Sequence, residues 1–156
     1  MGRIETLLRS LSDAEVRYVV IGATAFAAHG WVRATADVDL FIDADPANIE
    51  RVRETLIRFG YDLREASAEN FRRYKILLRQ HDLPLDIHPL VKGVTSFGAV
   101  WSRRVMARIG EIEAPFASLD DIISMQKAAG RPQDVEDLRQ LEKLRELRTG
   151  RNPGQE

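Results

Sequence analysis

The chain has 156 residues, 44% of them hydrophobic and 30% charged, with a formal net charge of −1 and no cysteine. That length is enough for one domain with its own core. The balance excludes a disulfide framework, a thiolate metal site and a global basic field for nucleic acid, and no apolar run approaches the roughly 20 residues of a membrane span. The N-terminus lacks the basic and apolar segments of a signal peptide, so a reducing cytoplasm is the expected setting.

Ile4, Leu7, Leu8 and Leu11 recur at helical spacing and predict an amphipathic first helix. Residues 16–21 read as a strand ending at Gly22, residues 23–29 as a short helix closing on Gly30, and residues 37–42 as a second strand. Asp45 before Pro46 is an N-cap followed by proline in the first turn, and Ile49, Val52, Leu56 and Ile57 trace one helical face up to Gly60. Short strand character recurs at 61–64, and 67–71 reads as a turn or helical turn. Residues 74–78 and 83–90 form a predicted hairpin around the polar turn at 80–82.

Residues 94–110 combine a helical turn (Phe97, Val100, Trp101) with a strand-like run at 105–109, and 111–116 reads as one more strand. Ser118 opens a helix in Ser-x-x-acid form, carried by Leu119, Ile122 and Ile123 to Gly130. A final helix starts at Pro132 with Val135, Leu138, Leu141, Leu144 and Leu147 at intervals of three. Its apolar stripe drifts by about 60° per step, so it must wrap, bend or fray. The expected organisation is one domain over 1–148 and a disordered tail over 149–156. The fold class is α/β (α+β): a mixed sheet of about four to six strands, helices mainly on one side, and two C-terminal helices closing one edge of a cleft.

The chemistry concentrates at 19–43. Asp is a poor strand former, yet Asp37 and Asp39 alternate with Val38, Leu40 and Ile42, so both carboxylates leave one strand face. Two like charges held that close favour a cation between them, and oxygen ligands of this kind suit Mg²⁺. An edge strand with one wet face carries Asp for solubility as well. Strand, Gly22 and helix in succession leave backbone N–H groups available for a phosphate. A third carboxylate, Asp86, shares a strand face with His88, which either orients a carboxylate or a water or is structural.

The ordered set of Gly22-Ala23, Asp37-x-Asp39 and Asp86 resembles the nucleotidyltransferase superfamily of the polymerase-beta type. Residues 118–138, with a helical Lys and an Arg-Pro-Gln-Asp-Val-Glu-Asp-Leu run, resemble more narrowly the AbiEii-like and MenT-like toxin nucleotidyltransferases. The resemblance implies Mg²⁺-dependent transfer of a nucleoside monophosphate from an NTP to an acceptor hydroxyl in tRNA, protein or a small molecule, with an antitoxin as a further partner. Two metals would lie on Asp37, Asp39 and Asp86. It also implies that Gly22, Ala23 and Thr24 cradle the triphosphate and that Lys127 joins the site together with a following carboxylate, Asp134 or Asp137. Arg33, in an Arg-x-Thr-x-Asp run, contacts phosphate or is a surface arginine.

From its spacing alone Lys127 sits at the margin of the apolar face, where a snorkelling role is the plain alternative. The cluster Arg72, Arg73, Lys75 and Arg79 receives a polyanionic acceptor or is simply solvated. Ala23 departs from the pattern, because relatives often place a small polar residue or glycine after the first glycine and alanine offers no hydroxyl. That departure favours a rival reading, a non-catalytic nucleotidyltransferase-like binding or antitoxin module; a metal-dependent phosphohydrolase is the third.

Overall fold

The computed structural model describes residues 2–79 and 82–150. In chain order it contains α1 (Arg3–Asp13), β1 (Tyr18–Ile21), α2 (Gly22–Phe26), β2 (Val38–Ile42), α3 (Pro46–Phe59), α4 (Ala68–Arg73), β3 (Ile76–Leu78), β4 (Leu85–His88), α5 (Phe97–Ser102), β5 (Val105–Ile109), β6 (Ile112–Phe116), α6 (Leu119–Ala129) and α7 (Val135–Gly150). One-turn 3₁₀ segments follow α2 at Ala27–His29 and precede α7 at Pro132–Asp134.

The six strands form one mixed sheet in the order β3-β4-β2-β1-β6-β5. The central pair β1/β2 is antiparallel; β2/β4 and β1/β6 are parallel, and each edge is a hairpin arm, β3 on β4 and β5 on β6. Central strands are covered on both faces, which is why Tyr18–Ile21 is buried at every position. Tyr18 and Phe41 mark the two faces, because Tyr18 pairs with Ile42 and Val19 with Phe41. The Tyr18 hydroxyl donates to the Leu8 carbonyl of α1, whereas the Phe41 ring meets Phe97 of α5 edge-on at 5.2 Å. Helices therefore cover both faces of the central strands, as a β1/β2 core that is apolar on both sides requires, with α3 packed beside α1 and α4 beside α3.

Local signals account for the helix ends. Asp45 accepts hydrogen bonds from the Ala47 and Asn48 amides at the start of α3, and Ser118 accepts from the Asp121 amide at the start of α6. Residues 61–64 form no strand, although Tyr61 and Leu63 are buried. The Tyr61 ring stacks on Phe59 and its hydroxyl donates to the Leu83 carbonyl, so a packed turn consumes the alternation that reads as a strand. Residues 94–110 resolve into α5 followed by β5. Thr149 and Gly150, read as tail from the sequence, belong to the last turn of α7; the rest of the expected tail, and Gln80 and His81 of the predicted hairpin turn, lie outside the described residues.

The helix α7 shows the stripe drift directly. Leu141 is fully buried, Leu138 and Leu144 are partly buried, and Val135 and Leu147 at either end are exposed. Among the described residues no helix is long and apolar enough to cross a membrane.

Candidate active site

The site lies at the end of β1 where the chain turns into α2. Gly22 has φ +71°, and a Cβ there would stand 2.6 Å from the Asp39 Oδ2 oxygen. Only glycine lets the turn approach the carboxylate this closely. Register does the rest: Ile21 pairs with Asp39 across β1/β2, and Asp39 pairs with Asp86 across β2/β4. Directly paired residues share a face, so Asp39 and Asp86 emerge side by side, with His88 two residues further along β4.

The His88 Nε2–H donates to the Asp39 Oδ1 oxygen at 2.9 Å. Ligand atoms of Asp39, Asp86 and His88 all lie within 4.8 Å of one another. Asp37 stands just before β2, its carbonyl accepting from the Thr35 hydroxyl at 3.1 Å. One guanidinium reaches both flanking carboxylates: Arg79 Nη1 lies 2.6 Å from Asp86 Oδ1 and Nη2 lies 3.8 Å from Asp37 Oδ2. The hydrogen bond to Asp86 is the largest single cause that raises the pKa of Arg79 above its ordinary value, and the charges of Asp86, Asp37 and Asp39 add to it. Lys75 Nζ stands 4.0 Å from the other oxygen of Asp86, Oδ2.

These groups open into a cavity of about 560 Å³. Its floor is the sheet edge with Asp37, Asp39, Asp86 and His88, and one wall is the Gly22-Ala23 turn. The α6 residues Ile122, Met125, Gln126 and Ala129 and the α7-side residues Asp134 and Asp137 line the cavity as well. Gly93, at φ +94°, packs so tightly on the Ser124 carbonyl that no Cβ fits, which seats the loop carrying Val91 and Lys92 against α6. The two C-terminal helices thus bound the cleft.

The other sequence-predicted residues divide. Arg33, Asp134 and Asp137 line the cavity, but the two carboxylates are buried and engaged: Asp137 Oδ1 forms an ion pair with Arg33 Nε at 3.0 Å and accepts from Trp31 Nε1 at 3.2 Å, and Asp134 pairs with Arg131. Thr24 lies outside the cavity lining. So does Lys127, whose half-exposed side chain pairs with Glu142 at 3.1 Å. Arg79, Arg131 and Trp31 received no individual role from the sequence. The Arg131–Asp134 pair carries a readable signal, a three-residue spacing at a helix start; the pairing of Arg79 with Asp86 depends on the β3/β4 hairpin.

A divalent cation fits this donor set. Asp39 and Asp86 offer carboxylate oxygens from adjacent strands, Asp37 adds a third at the same cavity, and His88 steadies Asp39 as an outer partner of a ligating carboxylate does.

A mixed sheet with a strand–glycine–helix turn facing paired carboxylates defines a nucleotidyltransferase-like fold. The fold matches a Thermotoga maritima protein that carries a provisional nucleotidyltransferase assignment, with a TM-score of 0.61 and 18% identity over 90% of each chain. It also matches ANT(2″)-Ia, solved in complex with adenylyl-2″-tobramycin, with a TM-score of 0.62 and 16% identity over 94% of this chain and 93% of that one. No curated protein matches the sequence. Residues 3–148 match the model of a family described as nucleotidyltransferase of unknown function (DUF6036), and the chain belongs to that family.

Proposed function

We propose that this protein transfers a nucleoside monophosphate from an NTP to an acceptor hydroxyl with release of pyrophosphate. The observation that carries the proposal is the cluster of Asp39, Asp86 and His88 facing the Gly22 turn inside the cavity. The acceptor oxygen bonds to the α-phosphorus, the bond from that phosphorus to the α,β-bridging oxygen breaks, and pyrophosphate carries the electron pair away. Mg²⁺, when bound by Asp37, Asp39 and Asp86, supplies charge neutralisation at the attacking and leaving oxygens.

The remaining work falls to the chain. Gly22 and Ala23 bring backbone against the triphosphate, Asp86 accepts the acceptor's proton, and His88 holds the Asp39 carboxylate in one orientation. Arg33, Lys75 and Lys92 line the cavity as cations for phosphate oxygens, and Lys92 has no ion-pair partner among the described residues. Lys127 joins them by exchanging Glu142 for a phosphate oxygen, and Asp134 and Asp137 line the same cavity.

The resemblance of residues 118–138 to AbiEii-like and MenT-like toxins supports a narrower reading as the toxin of a toxin-antitoxin pair, acting on a tRNA end or a protein. The fold shared with ANT(2″)-Ia supports a small-molecule acceptor. Incubation of the protein and Mg²⁺ with each α-³²P-labelled NTP and a cell extract separates the readings. Label should appear on one class of acceptor. Binding without turnover supports the non-catalytic module that Ala23 favours, and free NMP without a labelled acceptor supports a phosphohydrolase.

A further inference from the structure

We infer that Asp137 is a positioning residue that acts on the nucleotide through Arg33. The inference rests on the reading of the cavity as an NTP site and goes beyond it by assigning one buried carboxylate an indirect role. Asp137 is 5% exposed, at the start of α7, and its Oδ1 oxygen meets two groups of the loop at 30–36: it forms an ion pair with Arg33 Nε at 3.0 Å and accepts a hydrogen bond from Trp31 Nε1 at 3.2 Å. These partners lie more than a hundred positions earlier in the chain, so this single oxygen ties the loop that leads into Asp37 to α7.

The geometry separates holding from binding. Asp137 engages the Nε edge of the guanidinium, and Nη1 makes only a long contact of 3.4 Å to the Ala34 carbonyl. The Arg33 side chain is 41% exposed and lines the cavity. The terminal N–H groups of Arg33 therefore stay available to phosphate oxygens while its Nε is fixed, which is the use a planar five-donor group permits and an ammonium does not.

A purely structural role is a poor account of the pair. Burying a carboxylate to meet a half-exposed arginine gains little stability, and an apolar residue of similar size commonly serves as well. The same arrangement recurs one helical turn away. Buried Asp134 takes Arg131 by two hydrogen bonds, Nε at 2.7 Å and Nη2 at 3.3 Å, and Arg131 also lines the cavity. Arg131 takes both oxygens of Asp134, whereas Arg33 and Trp31 both meet the single Oδ1 oxygen of Asp137.

The test measures equilibrium affinity for ATP, CTP, GTP and UTP, each with Mg²⁺, by calorimetry, and then uses the tightest of the four on variants. Arg33→Ala should weaken binding by about tenfold, in the range of a lost charge-assisted hydrogen bond. Asp137→Leu, which removes the acceptor, should weaken it by a similar factor. Asp137→Asn, which keeps the Oδ1 acceptor for Trp31 Nε1 but removes the charge paired with Arg33, should fall between wild type and Asp137→Leu. Adding Asp137→Leu to Arg33→Ala should cost nothing more, as expected of residues acting as one unit.

A full additional loss in that double variant, or unchanged affinity in Asp137→Leu, overturns the inference. Arg33→Lys decides the matter even where Asp137→Leu does not fold: it should bind as weakly as Arg33→Ala, and wild-type affinity in it overturns the positioning role. Absence of binding by the wild-type protein to all four nucleotides instead overturns the reading of the cavity, and this inference with it.

Discussion

His29 lies buried beneath α7 with partners of opposite kind on its two ring nitrogens. Its Nε2 faces the Ala117 carbonyl at 2.8 Å, which can only accept, so Nε2 carries the proton. Its Nδ1 faces Arg148 Nη2 at 3.5 Å, which can only donate. Both contacts suit the neutral Nε2–H tautomer, and protonation at Nδ1 would point an N–H at a guanidinium. Burial lowers the pKa of His29 below its ordinary 6.5; the Ala117 hydrogen bond partly offsets this, and the charge of Arg148 adds to the lowering. Because the folded value lies below the unfolded one, the unfolded chain binds more protons as pH falls through about 6.5. The contribution of His29 is complete above that pH and is lost progressively toward the folded value. Urea unfolding followed from pH 7.5 down to 5 should show this loss, and His29→Gln, which keeps a donor for Ala117 and cannot titrate, should flatten the slope. An identical slope in the variant assigns the acid sensitivity to other groups.

At the level of elements, α7 separates what packing needs from what pattern offers. Five apolar residues at intervals of three read alike in the sequence, yet a 3.6-residue helix can press only the middle of such a series onto a core. Leu141→Ala should therefore cost about 2–5 kcal/mol, while Leu147→Ala, at a side chain that is 62% exposed, should stay within about 0.5 kcal/mol. Chemical denaturation of both variants checks this, and equal costs would contradict the drifting stripe. The same contrast explains which parts of the structure are legible in the sequence. Strands β1, β2 and β4 and helices α1, α3 and α6 carry their signals within a few residues, as apolar periodicity with a cap or a glycine stop. The loop at 61–64 misleads because Tyr61 and Leu63 alternate in burial for tertiary reasons. In the site, Asp37, Asp39 and Asp86 are readable because a carboxylate in a strand pattern is locally anomalous. The bond from His88 to Asp39 depends on a parallel register between β2 and β4, and the hold of Asp137 on Arg33 crosses most of the chain; no local pattern encodes either. Lys127 shows the converse, since its helix is legible but its partner Glu142 comes from α7.

For the whole molecule, a net charge of −1 conceals a cavity in which carboxylates and cations are interleaved. Asp37, Asp39 and Asp86 oppose a triphosphate that arrives without a cation. A cation arriving alone must compete with Arg79, which holds Asp86 at 2.6 Å, and with His88, which holds Asp39. Each ligand should then assist the other, because the cation neutralises the carboxylates for the phosphate and the phosphate completes the cation's oxygen shell. Thermal unfolding should show a small rise in Tm with Mg²⁺ or NTP alone and a larger than additive rise with both, with about 2.7 kcal/mol of stabilisation at a hundredfold excess over Kd. Asp39→Asn removes one charge from the cluster while keeping an oxygen for the His88 Nε2–H. The apo variant should be as stable as wild type or more so, and it should lose both the joint stabilisation and the transfer of label. An unfolded variant, or one that keeps the joint stabilisation and the transfer, would show that Asp39 serves the sheet and not a bound cation.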